Sequence, residues 1–186
     1  MSGARWESLF ADLEAELAAG EAAALSAEVA ERTRIEVGRL RLVDRLRPAL
    51  GHRIRLSTLA GPVEGNLRDL GPDWLLAAEW TGRAALVPLA AVTTVAGLSA
   101  RSAPPGAEGP VAARLDLRYA LRRLARDRAA VALTLAGGGT VTGTLDRVGA
   151  DFVELAEHPL EEFRRPAAVR QVLTIPLAAV HLVRSS

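Results

Sequence analysis

Apolar residues recur at steps of three and four along the start of the chain, which is the spacing of one face of an α-helix. Charged residues, Glu7, Asp12, Glu14 and Glu16 among them, fall on the other positions. The pattern predicts an amphipathic helix that ends near Gly20. Its apolar face consists of Trp6, Leu9, Phe10, Leu13 and Leu17.

From Glu21 to about Arg47 the residues are again strong helix formers, and Pro48 and Gly51 close this second helical stretch. Both helices are expected to pack on the rest of the protein or on each other. The alternative is that the first helix docks on a partner protein through its apolar face.

After Gly51 the pattern changes to the two-residue alternation of a half-buried strand, over residues 53–59. Residues 63–79 predict further strands, and Gly65 within them marks a bend in the sheet. Pro88 lacks an N–H group, so it predicts a strand break with a short turn at 88–91. The stretch as a whole predicts a helix followed by about five short strands.

The same unit occurs twice. The segment VEGNLRDLGPDWLLA at 63–77 returns 78 positions later as VTGTLDRVGADFVEL at 141–155. The segment VPLAAV at 87–92 returns 88 positions later as IPLAAV, so the second copy has ten extra residues, which fall within 158–171. A repeat of about eighty residues has the size of a small domain, and we therefore predict a duplicated domain.

Proline and glycine are concentrated at 104–110, a composition that predicts a linker without helix or strand. The second copy then opens with a helix on which Leu117, Leu121 and Leu124 form the apolar side. The predicted organisation is an N-terminal helical segment at 1–33, a first copy at 34–98, a linker at 99–111 and a second copy at 112–186.

Composition narrows the class of protein. Of 186 residues, 49% are hydrophobic, which is enough for packed cores, and none is cysteine, which excludes disulfides and thiolate metal sites. No apolar run approaches the roughly 20 residues of a membrane span. The N-terminus does not have the composition of a secretory signal. We therefore expect a cytoplasmic protein without a membrane partner.

The net charge of +1 hides a strong segregation of charge along the chain. Residues 1–31 contain one arginine and seven acids, whereas 32–55 contain eight arginines and two acids, and 114–128 contain six arginines and two acids. Such arginines can meet a phosphate backbone, or they can form a solvated face or pair with the acidic first helix. The candidate nucleic-acid contacts are Arg39, Arg41, Arg45, Arg118, Arg122 and Arg126.

The repeated motif G-x-L-x-x-(V/L)-G-x-D-(F/W), set between a helix and a later short motif with a closing strand, resembles the Sm-like (LSm) family. The resemblance covers about 34–98 and 112–184. It implies a mostly β, α+β fold of two tandem five-stranded bent barrels, each preceded by a helix, in addition to the N-terminal helix. The opening residues RWESLFADLE are similar to those of an uncharacterised group of actinobacterial proteins.

The resemblance does not extend to the RNA-binding residues of the Sm-like family. The positions of its Asp and Asn are occupied by Gly71 and Leu75 in the first copy and by Gly149 and Val153 in the second. The positions of its later basic motif fall near Pro88 and Pro176. The resemblance therefore implies the fold more than uridine recognition.

Residues for catalysis or cofactor binding are few. His52, His158 and His181 follow no metal-binding spacing, and Asp73 and Asp151 each follow a turn, where Asp usually bonds to local backbone. We expect no enzyme activity, no cofactor and no metal site.

Two functional hypotheses follow. The first is a non-enzymatic regulator that binds nucleic acid, RNA more than DNA, through its arginine-rich helices. The second is a scaffold that self-associates through barrel edges and docks partners with the helix of Trp6, Leu9, Phe10, Leu13 and Leu17. Sm-like barrels tend to form rings, so a homo-oligomer is expected. Trp74 and Phe152 are expected to fill the cores and Trp80 to be exposed.

Overall fold

The computed structural model describes residues 3–161 and 164–185, and it describes only the backbone of residues 3–8 and 10–12. The chain divides into two compact units, one ending at Leu40 and one beginning at Arg41. The first unit is a helix, and the second contains both copies of the repeat.

Helix α1 spans Gly3–Arg39, a length of 37 residues. The prediction of a helix end near Gly20 is wrong, because the alanine and glutamate residues on both sides of that glycine favour helix strongly enough to offset its cost. The described side chains of α1 are exposed, and Leu17 and Leu25 are 68% and 63% accessible. None of the helices in the described residues is long and apolar enough to cross a membrane.

The first copy begins with a short helix and a 3-10 turn, in which Pro48 stands near the N-terminus as its fixed φ allows. Five strands follow, the fourth of which ends at the predicted proline break. A 3-10 turn at Leu89–Ala91 then leads into the last strand. The elements are α2 (Leu42–Leu46), β1 (Arg53–Thr58), β2 (Gly61–Leu70), β3 (Trp74–Glu79), β4 (Ala84–Pro88) and β5 (Val92–Ala96).

The second copy repeats this scheme with a longer leading helix. One helical turn, α3 (Gly109–Ala112), lies in the segment that was expected to contain no helix, with Pro110 at a favourable position in its first turn. Strand β9 again ends at a proline, Pro176. The remaining elements are α4 (Leu117–Arg126), β6 (Ala130–Leu135), β7 (Thr140–Val148), β8 (Phe152–Glu157), β9 (Gln171–Pro176) and β10 (Val180–Ser185).

All ten strands form one open antiparallel sheet in the order β5-β1-β2-β3-β4-β10-β6-β7-β8-β9. The prediction of two separate five-stranded barrels is therefore wrong. Strand β4 of the first copy pairs with β10 of the second through Leu86–Val183, Ala85–Arg184 and Ala84–Ser185. Pairing satisfies the backbone N–H and C=O groups that each copy would otherwise leave at an edge, and this favours a continuous sheet.

The duplication predicted from the sequence is present in the strand order. Read in one direction across the sheet, from β5 to β9, the first copy runs fifth, first, second, third and fourth strand, and the second copy runs in the same order. Gly65 and Gly143 occupy the same place in this pattern, each opposite the third strand of its copy. A Cβ atom at either glycine would lie 2.1 or 2.0 Å from the carbonyl oxygen of Ala78 or Ala156. Only glycine allows the two backbones to approach so closely.

Two hydrophobic cores correspond to the two copies, and each receives side chains from the other copy. Leu182 of β10 is fully buried in the first core. Trp74 and Leu86, from β3 and β4, are buried in the second. The exchange follows from the β4–β10 pairing, which places the end of one copy over the apolar face of the other.

Replacing Gly65 with alanine should destabilise the protein, because the new methyl group would collide with the backbone of β3. A collision of this kind costs about 1–3 kcal/mol in the free energy of unfolding. Urea unfolding followed by circular dichroism measures it. Gly137→Ala is the matched control: no atom lies within 4 Å of the Cβ position at Gly137, so its free energy of unfolding should stay within about 0.5 kcal/mol of the parent value. Equal effects of both substitutions would contradict the close approach.

Candidate nucleic-acid interface

Helix α4 carries the densest group of arginines in the second unit, and its N-terminus is capped from two directions. Asp116 stands at the N-cap, where its Oδ1 accepts the N–H of Tyr119 at 3.0 Å. Asp73, from the first copy, accepts the N–H of Leu117 at 2.8 Å through its own Oδ1. The expectation that Asp73 bonds to local backbone thus missed its partner, which lies 44 residues away.

Trp74 attaches the same helix to the first copy by its indole group. Its Nε1–H donates to the carbonyl of Leu115 at 2.7 Å, and the residue is 7% exposed. Phe152 holds the equivalent place in the second copy and has no N–H group to donate. The prediction that Trp74 fills a core is confirmed, and its hydrogen bond explains why this position has tryptophan where the other has phenylalanine.

The two capping carboxylates have opposite pKa shifts. Partial loss of water around the carboxyl raises the pKa of Asp73, and the negative charge of Asp116 adds to the effect. Burial alone would also raise the pKa of Asp116. Hydrogen bonds from the Arg118 guanidinium and the Tyr119 N–H outweigh burial there, so its pKa is lowered.

The exposed side of α4 is strongly basic. Arg118 pairs with Asp116, its Nε lying 2.7 Å from Oδ2. Four further arginines on the helix or directly after it are exposed and have no carboxylate within ion-pair distance in the described part of the chain. They are Arg122, Arg123, Arg126 and Arg128. We call these four residues the α4 arginine cluster.

The other candidate arginines are engaged within their own units. Arg39 lies on α1 and pairs with Glu36 at 3.0 Å. Arg41 donates to Glu108 and Asp44, and its hydrogen bond lowers the pKa of Glu108. These contacts hold guanidinium groups that would otherwise be available to a phosphate.

Arg45 holds the linker segment in place. Its guanidinium donates to the carbonyl oxygens of Ser99, Ala100 and Arg101 at 2.6 to 3.1 Å, and to the Ser102 hydroxyl. Five donors in a rigid fork suit arginine to this task. The structure thus brings Arg118, Arg122 and Arg126 together on α4, and it assigns Arg45 to the linker segment.

A cavity of about 520 Å³ lies where the turns of the two copies meet the N-terminus of α4. Its polar lining consists of Asp73, Asp116, Arg118 and His181, and the remainder is mainly proline, leucine and alanine. His181 has a buried Nδ1 without a hydrogen-bond partner among the described residues. Sequence reasoning did not connect these residues, because they come from a turn of the first copy, the start of α4 and strand β10, which are far apart in the chain.

The partner-docking residues proposed on the N-terminal helix are described in part. Leu9, Leu13 and Leu17 are 47%, 46% and 68% exposed. The side chains of Trp6 and Phe10 lie outside the described residues. Trp80 is 64% exposed, as predicted, and the guanidinium of Arg53 lies 5.4 Å from its ring centroid.

The histidines and acids form no metal-binding group within the described residues. His158 is 1% exposed, and both ring nitrogens have protein partners. Its Nδ1–H donates to the Pro159 carbonyl at 2.8 Å, and its Nε2 lies within hydrogen-bond distance of the Thr144 hydroxyl, also at 2.8 Å. These contacts give His158 a structural role.

No protein-family model matches the chain, and no curated protein does.

Removing the N-cap of α4 should destabilise the protein in a pH-dependent way. Asp116→Ala leaves the Tyr119 N–H without its acceptor, which costs about 0.5–2 kcal/mol in unfolding free energy at neutral pH. Because the folded pKa of Asp116 lies below its ordinary value of 3.8, the stabilisation from its charge is complete above that value and is lost as the pH falls through the folded pKa. Asp116→Asn keeps the acceptor oxygen and should lose only this pH-dependent part.

Urea unfolding at neutral pH and at about pH 3 measures both effects. Asp127→Ala, at the opposite end of α4, is the control: the helix dipole disfavours a carboxylate there, so its removal should leave stability unchanged or slightly higher. If the alanine variants at both ends lose the same stability, Asp116 is not a specific cap.

Proposed function

We propose that this chain is a non-enzymatic, cytoplasmic protein that associates with nucleic acid through the phosphate backbone, using α4 as its contact surface. The observation that carries the proposal is the α4 arginine cluster, four exposed guanidinium groups without a carboxylate partner among the described residues. A guanidinium group can donate two parallel hydrogen bonds to the oxygens of one phosphate. Binding of this kind releases counterions from the nucleic acid.

The contact is proposed to be with phosphates because the positions for base recognition are occupied by core residues. Leu75 and Val153, which stand where the Sm-like family has its asparagine, are fully buried. A leucine or valine side chain has no group with which to read the edge of a base. RNA is proposed ahead of DNA on the Sm-like resemblance, which itself stays a proposal.

The double substitution Arg122→Gln and Arg126→Gln should weaken binding to a labelled single-stranded RNA. The loss of two phosphate contacts lowers the slope of log K against log salt by about 1.4 for a single strand. Fluorescence anisotropy at a series of salt concentrations measures both the affinity and the slope. DNA of the same sequence in a parallel titration tests the preference for RNA.

The matched control is Arg68→Gln with Arg83→Gln, which removes the same charge from two exposed arginines of the first copy that are without an ion pair among the described residues. The control should bind almost as well as the parent protein. Absence of binding by the parent at low salt, or an equal loss in both double variants, would rule out α4 as the contact surface.

A second candidate function is a scaffold that self-associates through the edges of its sheet. The observation in its favour is that β5 and β9, at the two ends of the sheet, pair on one side only. Val172 on β9 is 54% exposed. Unpaired edge strands offer N–H and C=O groups to another chain.

The β4–β10 pairing inside the chain is a template for the pairing of two separate chains. Ala84 and Ala85 of β4 correspond to Val172 and Leu173 of β9, by the same 88-residue spacing that relates Val87 to Ile175. Val183 and Arg184 of β10 correspond in the same way to Val95 and Ala96 of β5. Strand β9 of one chain would thus meet β5 of the next in the register of β4 and β10. Such a head-to-tail contact closes into a ring or continues as a filament.

Substituting lysine for Val172 and Thr174 should abolish self-association through β9, because charged side chains on an edge strand oppose pairing with a neighbour. Light scattering across a concentration series should show the parent above the mass of one chain and the variant at that mass. Leu59→Lys is the control, since Leu59 is 69% exposed in the turn between β1 and β2. A parent mass of one chain at every concentration would exclude the edge contact.

A further inference from the structure

A groove of about 300 Å³ runs between α4 and the sheet. One wall is formed by strands of both copies, and the other by the side of α4 that faces them. The lining is mainly apolar and includes the side of Trp74. The apolar lining includes Trp74, Leu76, Leu86, Leu115, Leu124 and Val183.

The groove has a basic margin on the helix side. Arg123 lines it directly, and Arg122 and Arg126 lie on the adjacent face of α4. Asp69 and Asp127 also line the groove and would repel an acidic occupant. The acids of such an occupant would therefore lie toward the arginines. An apolar channel next to exposed cations suits an amphipathic helix whose apolar residues are flanked by acids.

Helix α1 has these properties. Leu9, Leu13 and Leu17 follow one another at four-residue steps, which places them along one side of the helix, and all three are exposed. Glu14, Glu16 and Glu21 accompany them, within a segment that has seven acids and one arginine up to Glu31. Leucine side chains at this level of exposure favour burial against another apolar surface.

We propose that the leucine face of α1 docks in the groove beside α4 of a second copy of this chain, with the glutamates of one copy against the arginines of the other. The inference names a partner for the docking helix of the second functional hypothesis drawn from the sequence, and it is separate from the sheet-edge contact. It does not depend on nucleic-acid binding. Because the contact is partly electrostatic, it weakens as salt rises.

The test uses the full chain in sedimentation velocity at low and high salt. Leu13→Glu with Leu17→Glu should raise the dissociation constant of self-association at least about tenfold, equivalent to about 1.4 kcal/mol. These residues are exposed, so the variant keeps its fold, as circular dichroism will verify. Leu25→Glu with Val29→Glu is the control on the same helix, at side chains 63% and 55% exposed, and it should associate like the parent.

A charge exchange tests the pairing itself. A chain with Glu14→Arg and Glu16→Arg, and a chain with Arg123→Glu and Arg126→Glu, should each associate weakly alone. Their mixture should recover association, because each supplies the charge that the other lacks. Recovery in the mixture does not follow from a merely structural role of either set of residues.

The result also separates this contact from the sheet-edge contact. If the α1 variants associate like the parent while the Val172→Lys and Thr174→Lys variant does not, the groove inference is overturned and the edge proposal stands. A parent mass of one chain throughout, or a charge-exchange mixture that stays as weak as its components, also overturns it.

Discussion

The pairing of β4 with β10 is the interaction on which the rest of the sheet-containing unit depends. Three residue pairs join the two copies, and an ion pair lies beside them in which Arg184 contacts both carboxylate oxygens of Glu79 at 2.9 and 3.0 Å. The pairing brings the turns of both copies to one place and puts the start of α4 within reach of Asp73 and Trp74. Without it, neither the cavity nor the groove would have two walls.

The junction also explains why two copies of one module have different residues at matching positions. Trp74 and Phe152 correspond in sequence, and the indole of Trp74 donates to the carbonyl of Leu115 in the second copy, a bond that a phenylalanine ring cannot make. Arg184 corresponds to Ala96, and only Arg184 has a glutamate of the neighbouring copy beside it. Both Trp74 and Arg184 thus have polar partners in the other copy.

Arginine has three roles in this molecule, and its environment decides which. The guanidinium group of Arg45 donates to backbone carbonyls, and that of Arg41 donates to carboxylates. The α4 arginine cluster has neither kind of partner among the described residues, which leaves its charge available for binding. Four such arginines lie close together on one short helix and directly after it, which concentrates positive charge there.

The sequence by itself determined the elements and their repetition. Alternation over 53–59 and the proline breaks at 88 and 176 reflect local backbone rules, so they could be read correctly without a structure. The continuity of α1 through Gly20 was missed because helix propensity is a sum over neighbours rather than a property of one residue. The tertiary structure alone decided three features. These are the joining of the two five-stranded units into one sheet, the partner of Asp73, and the identity of the arginines that have no carboxylate partner among the described residues. Each of these depends on contacts between residues far apart in the chain, and the spacing of residues along a sequence does not record which distant groups will meet.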